Sequence, residues 1–238
     1  PGWVEGLNNL GIVQQKQNRD NEAINTFRSI LEINPGSSEA HNNIAVTLMN
    51  RGSVEEAEWY FRKALKNKPE YSRAASNLGN LYEQSGSYTR AAAELENALD
   101  RDPYNSEIRK RLAEVYGKLE RYEDAEKMLL TIAQREPEEP GTLRSLAEVY
   151  RHQGRSEDAA EVLSRLTAIT QTAGDRLEYA RMLRETGNLK EAAQIVLELF
   201  RENPEDATLG HLLAGLYQEQ GNYKAAMDLL EDLLKQDP

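Results

Sequence analysis

The sequence has no cysteine, only three phenylalanines and two tryptophans, and three histidines among 238 residues. Without cysteine there are no disulfides, no thiolate zinc sites and no thiol nucleophile. The histidines, His41, His152 and His211, are not paired at helical metal spacing, and no HExxH run occurs. No serine sits in a nucleophile elbow, and no glycine-rich phosphate loop is present. No cofactor or metal is therefore expected, and no enzymatic activity within this segment. No run of about 18 apolar residues exists, so no membrane insertion is expected. There is also no excess of positive charge. The formal net charge is −11, from 29 Lys+Arg against 40 Asp+Glu. Nucleic acid is thus not expected as a partner, because phosphate binding needs a basic footprint. The absence of cysteine does not fix the compartment; the cytoplasm is the default expectation. The start, "PGWVEGL", lies so close to the first helix that the chain reads as part of a longer protein.

What the sequence does have is a period. Pro35, Pro69, Pro103 and Pro137 stand 34 residues apart, as do Pro204 and Pro238. Such a repeat decides the architecture before any local reading. In the same register a small residue recurs at Gly11, Ala45, Gly79, Ala113, Ala147, Ala180 and Ala214. An alanine recurs at Ala23, Ala57, Ala91, Ala125, Ala159, Ala192 and Ala226. Between them lies a turn residue: Asn18, Gly52, Gly86, Glu120, Gly154, Gly187 and Gly221. Apolar residues at three- and four-residue spacing give each segment one buried helical face. The small residues let two helices approach closely. The glycine permits the left-handed conformation that ends the first helix, and the proline stops the second. Each unit is a helical hairpin that buries its face only by stacking on neighbours.

The run "NLGNLYEQSGSYTRAAAELENALDRDP" (77–103) resembles a tetratricopeptide repeat, and the resemblance covers essentially the whole chain. Seven repeats are expected, at about 4–37, 38–71, 72–105, 106–139, 140–172, 173–206 and 207–238. The resemblance implies an all-α solenoid of about 14 antiparallel helices in a right-handed superhelix, forming a single domain. It implies a non-catalytic scaffold that binds a protein or peptide in a concave groove lined by the first helices. An accessory or targeting domain of a larger enzyme, such as a glycosyltransferase, is the alternative, and a self-assembling scaffold is a third. One joint breaks the period: Gln171 stands where a proline is expected, so "LTAITQTAGD" (166–175) is either a stacking adjustment or a hinge.

In the family, the residue before the apolar–small pair points into the groove. Here it reads Asn9, Asn43, Asn77, Arg111, Ser145, Glu178 and Leu212. The first three resemble the asparagine ladders of O-linked N-acetylglucosamine transferase and kinesin light chain repeats, which imply contact with a peptide main chain. One amide offers both a donor and an acceptor, matching a peptide unit. First helices roughly 10 Å apart would place a rung at about every third residue of an extended chain. The alternative is that these amides only bond across neighbouring helices. Asn8 and Asn42 flank the ladder, whose third flank is Ser76. Asn80 and Arg73, on the helix of the third rung, complete the expected contacts there. The chaperone-tail clamp fits at two of five positions (Asn8, Ile12, Asn43, Arg73, Asn77), so a full two-carboxylate clamp is not expected.

The second half changes character. Residues 120–238 carry 14 basic and 24 acidic residues, a balance of −10, against −1 (15 and 16) for residues 1–119. Yet Arg111, Arg144, Arg151, Arg181 and Arg184 fall on the expected groove side, with Lys110 and Lys118, among Glu107, Glu114, Glu148, Glu178 and Glu185. Such a surface would hold an acidic segment, or form a charge lattice that neutralises itself. Trp3 is expected to cover the first end of the stack. Trp59 is expected either in an inter-repeat crevice or exposed on the convex side. The apolar last helix, with Leu229, Leu230, Leu233 and Leu234, suggests a missing cover or self-association through the C-terminal repeat.

Overall fold

The computed structural model describes residues 2–236, with the side chains of Lys235 and Gln236 left aside, so Pro238, the last proline of the period, lies outside them. The described residues form fourteen α-helices and no strand: α1 (Gly2–Lys16), α2 (Asp20–Ile33), α3 (Ser38–Asn50), α4 (Val54–Asn67), α5 (Ser72–Gln84), α6 (Tyr88–Arg101), α7 (Ser106–Lys118), α8 (Tyr122–Ala133), α9 (Pro140–His152), α10 (Ser156–Thr170), α11 (Ala173–Glu185), α12 (Leu189–Glu202), α13 (Ala207–Glu219) and α14 (Tyr223–Gln236). They fall into two compact units, residues 1–128 and 129–238.

The punctuation works as the residue types require. All seven turn positions, Asn18 and Glu120 included, have φ between 57° and 80°. This left-handed turn costs a non-glycine residue free energy, least for asparagine. The residues just before Pro35, Pro69, Pro103 and Pro204 are driven out of the helical region, with φ between −131° and −140°. Where Gln171 replaces proline, α10 runs on to Thr170 and ends instead with Gln171 at φ 52°.

Five of the first helices, α3, α7, α9, α11 and α13, start with side-chain caps, whereas α5 begins after Tyr71 without one. Ser37, Asn105, Glu139, Thr172 and Asp206 each accept a backbone N–H of the first turn. Second helices such as α4, α6 and α12 have no side-chain cap. Each of these three starts two residues past the left-handed glycine, and backbone bonds such as Ser87 N–H to the Tyr82 carbonyl (2.7 Å) close the turn before it.

In the first unit each helix packs on the next from α1 to α7, and first helices also touch one another, α1 with α3, α3 with α5 and α5 with α7. The core is the periodic set: Ala23, Phe27, Ala45, Ala57, Phe61, Leu78, Ala91 and Leu95 are all sealed from solvent. A Cβ on Gly79 would come 2.9 Å from Leu95 Cγ, which is why this position stays small. The second unit repeats the scheme, with Ala180, Leu183, Ala192, Val196, Leu213 and Leu216 in one cluster.

Candidate functional site

Where first helices touch in the first unit, their asparagines are bonded to one another. Asn77 Nδ2 donates to Asn42 Oδ1 (3.0 Å), Asn42 Nδ2 to Asn43 Oδ1 (3.2 Å), and Asn43 Nδ2 to Asn8 Oδ1 (2.8 Å). The result is one amide relay across α5, α3 and α1. Gln15 extends the α1–α3 junction by donating to the Asn43 carbonyl (3.0 Å) and to Thr47 Oγ1 (2.6 Å).

The relay's step is 35 residues, one more than the repeat: the Asn43 and Asn77 amides each reach the residue before the rung in the preceding repeat. Asn8 and Asn42 are therefore not bystanders flanking a ladder but its acceptors, and Asn42 is fully buried. The same step from Arg111 leads to Ser76, where the relay stops. Ser76 Oγ is buried without a hydrogen-bond partner.

The relay does not exhaust the amides. Each has two donors and an acceptor oxygen. Asn77 keeps its oxygen and one N–H, Asn8 keeps both N–H groups, and Asn43 keeps one N–H. Asn9 is exposed and takes no part. Asn80 accepts a weak bond from Gln84 (3.4 Å), while Arg73 and Arg111 stand outside the relay on α5 and α7.

Tyrosines tie second helices to the following repeat. Tyr116 Oη donates to Glu96 Oε1 (2.6 Å), and the Arg121 guanidinium lies 4.2 Å from the Tyr116 ring centre. Arg62 Nη2 donates to Tyr82 Oη (2.8 Å). Burial, with Glu58 alongside, pushes the Tyr82 phenol up to about 12.

In the second unit two of the four expected arginines, Arg144 and Arg184, are firmly committed. Arg144 grips Asp175 with two bonds of 2.8 Å, Nε to Oδ1 and Nη2 to Oδ2. Asp175 Oδ2 also accepts from Thr170 Oγ1 (2.6 Å) and Thr172 Oγ1 (2.7 Å), so the carboxylate closes the irregular joint on α9, α10 and α11. These bonds, led by Arg144, hold the Asp175 carboxyl well below the usual carboxylate range. Arg184 is clasped by Glu219 of α13, and Arg181 lies 3.5 Å from Glu178. Arg151 has no such partner among the described residues. It lines two adjoining clefts of about 200 and 450 Å³, together with Glu178 and Met182.

Two aromatic expectations resolve differently. Trp3 does not cover the end of the stack. It is 81% exposed, beside Leu7 and Leu10 in an open depression; among the described residues the helices that pack on α1 are α2 and α3. Trp59 is 53% exposed on α4, edge-on to Tyr60 (4.8 Å), with Lys63 Nζ 4.9 Å from its ring centre. On α14, Tyr223, Met227 and Leu234 are exposed.

Sequence alone left Gln15, Thr47 and the Asn8/Asn42 acceptors out of the site. The signal that could have found them is the doubled asparagine itself, "NN" at 8–9 and again at 42–43.

No curated protein matches the chain. Solved structures do. A Pseudomonas aeruginosa pilF structure superposes with a TM-score of 0.68 at 20% identity, covering 93% of this chain and 97% of that one. PilW, a type IV pilus biogenesis factor, gives 0.66 at 19% identity over 88% and 98% of the two chains. YrrB, titled a TPR protein with an unusual peptide-binding site, gives 0.65 at 19% identity over 78% and 96%. At such identities the likeness is one of fold. Three family models described as tetratricopeptide repeat match the sequence, at residues 8–72 and 56–106, at 82–141 and 183–238, and at 142–177. With the fourteen helices and the seven left-handed turns, these matches show that the chain belongs to the tetratricopeptide repeat family.

Proposed function

We propose that this chain is a non-catalytic protein-interaction scaffold that holds an extended segment of a partner protein on the first-helix face of residues 1–128. The observation that carries the reading is the set of amide valences left over by the relay. Bonding between Asn77, Asn42, Asn43 and Asn8 fixes the amides in orientation, so little side-chain entropy is lost when a partner meets them. The free oxygen of Asn77 suits a peptide N–H, and the free N–H groups of Asn8 and Asn43 suit peptide carbonyls. Asn9 and Asn80 add amides that the fold does not need. Arg73 and Arg111 stand ready for an acidic side chain of the same segment. YrrB, with its peptide-binding site, supports a peptide role for this fold but does not say which face serves here.

In the second unit the charges mostly satisfy one another. Of the candidate arginines there, Arg151 and the loosely held Arg181 are the ones left for a partner, while Arg144 and Arg184 serve the stack. Replacing all three rung asparagines would damage stability and binding together. The informative variant is Asn9→Ala with Asn80→Ala, outside the relay. It should weaken binding of a peptide selected against the wild-type chain by about tenfold, roughly two lost hydrogen bonds. Its unfolding midpoint should stay unchanged. Equal affinity would refute the assignment of this face.

A further inference from the structure

Arg28 and Arg62 occupy the same place in consecutive second helices, 34 residues apart, yet their surroundings differ. Arg62 is satisfied on three sides. Its Nε donates to Glu58 Oε1 (2.9 Å), its Nη2 to Tyr82 Oη (2.8 Å), and its Nη1 lies 3.3 Å from Glu94 Oε1. In the register of those partners, Arg28 is offered Ile24, Leu48 and Tyr60. Among the described residues it makes no hydrogen bond or ion pair of its own.

Arg28 lines a cleft of about 340 Å³ between α2, the end of α3 and the start of α4, with Arg51 in the same cleft. Arg51 Nη1 donates only to the neutral amide oxygen of Asn21 (2.9 Å). The other polar groups there are Asn25, Ser53 and a single carboxylate, Glu56, which makes no ion pair either. Two guanidiniums thus face one acid, a local positive excess in a chain of net charge −11. Guanidinium cannot shed its proton and matches a carboxylate with two parallel bonds. Ile24 and Leu48 form an apolar wall beside the cations, which strengthens a charge-assisted bond made against it.

We propose that this cleft recognises the carboxylate of an Asp or Glu side chain on an acidic segment of a partner protein, filling for Arg28 the place that Glu58 and Glu94 fill for Arg62. The site is built from α2, the C-terminal end of α3 and the start of α4, and uses none of the first-helix amides. It shares with the proposed function only the reading of the chain as an interaction scaffold.

The test is a titration of the ¹⁵N-labelled chain with a hexaglutamate peptide, followed by NMR. Saturable shifts are expected at the Arg28 and Arg51 Nε–H groups and at the Asn25 side-chain amide, in the millimolar range for exposed ion pairs and stronger at low salt. Arg28→Gln should weaken binding at least fivefold. Asn9→Ala with Asn80→Ala should leave this titration unchanged, so failure of the first-helix face and failure of this cleft are distinguishable. Absence of shifts, shifts spread equally to Arg73 and Arg111, or an Arg28→Gln variant that binds as well as the wild type would overturn the proposal.

Discussion

Asn77 and Asn42, one repeat and one residue apart, share a 3.0 Å hydrogen bond, and Asn42 passes its own donor on to Asn43. Asn42 is thus the middle of the relay and its most buried member. Asn42→Ala removes a buried donor and acceptor and leaves Asn77 and Asn43 each short of a bond. At about 1 kcal/mol for each net bond lost, the cost is about 2 kcal/mol. Urea denaturation of wild type and variant measures it. An unchanged midpoint would mean that the relay is decorative.

Ser76 stands where the relay runs out. Its hydroxyl is buried and unbonded, so burying it earned no compensating interaction. Ser76→Ala should be neutral or should stabilise, by up to about 1 kcal/mol. A clear loss of stability would show that the hydroxyl has a partner after all.

Glu120 holds a φ of 57° at a turn where five of the seven repeats use glycine. Glu120→Gly relieves the left-handed strain, offset in part by the freedom glycine gains when unfolded, for a net stabilisation of about 0.5–1 kcal/mol. Gly86→Ala, at the equivalent turn (φ 71°), should do the reverse. Thermal unfolding of both variants checks the pair of signs.

Asp175 makes stability at the joint depend on acid. Its folded carboxyl titrates below its unfolded value of about 3.9. The folded state therefore binds fewer protons there, and its contribution is present in full above about pH 4 and lost as pH falls through the folded value. Asp175→Asn should cost about 2 kcal/mol at pH 7, since charged hydrogen bonds to Arg144 are lost. The difference from wild type should shrink steadily below pH 4. Urea midpoints of both proteins from pH 7 to pH 2 give the comparison.

The fold was legible because its determinants are single residues with one physical job each. Proline ends α2, α4 and α6; glycine turns the chain between helices; alanine marks close approach. Glu120 was legible only by alignment with those glycines, whereas Asn18 is itself a residue that tolerates the left-handed turn. The site was less so. A repeat alignment compares residues 34 apart, whereas the relay bonds residues 35 apart, so Asn8 and Asn42 fell outside the ladder that they complete. Charge counting failed for a similar reason. Arg144 and Arg184 were expected to face a partner, but the groups that commit them, Asp175 and Glu219, sit 31 and 35 residues away on neighbouring repeats. Trp3 was placed by the general need to cap a stack, and nothing local holds it against one.

The central claim is that the first-helix face of residues 1–128 holds a partner's main chain, through the valences the relay leaves over and through Asn9 and Asn80, while the bonds within the relay hold the helices together. The most direct measurement is the dissociation constant of a phage-selected peptide for three proteins: wild type, Asn42→Ala, and Asn9→Ala with Asn80→Ala. Unfolding midpoints are recorded in parallel. The account predicts about tenfold weaker binding with an unchanged midpoint for the double variant, and a lowered midpoint for Asn42→Ala. A double variant that binds as tightly as wild type, or a selection that enriches no peptide, would contradict it.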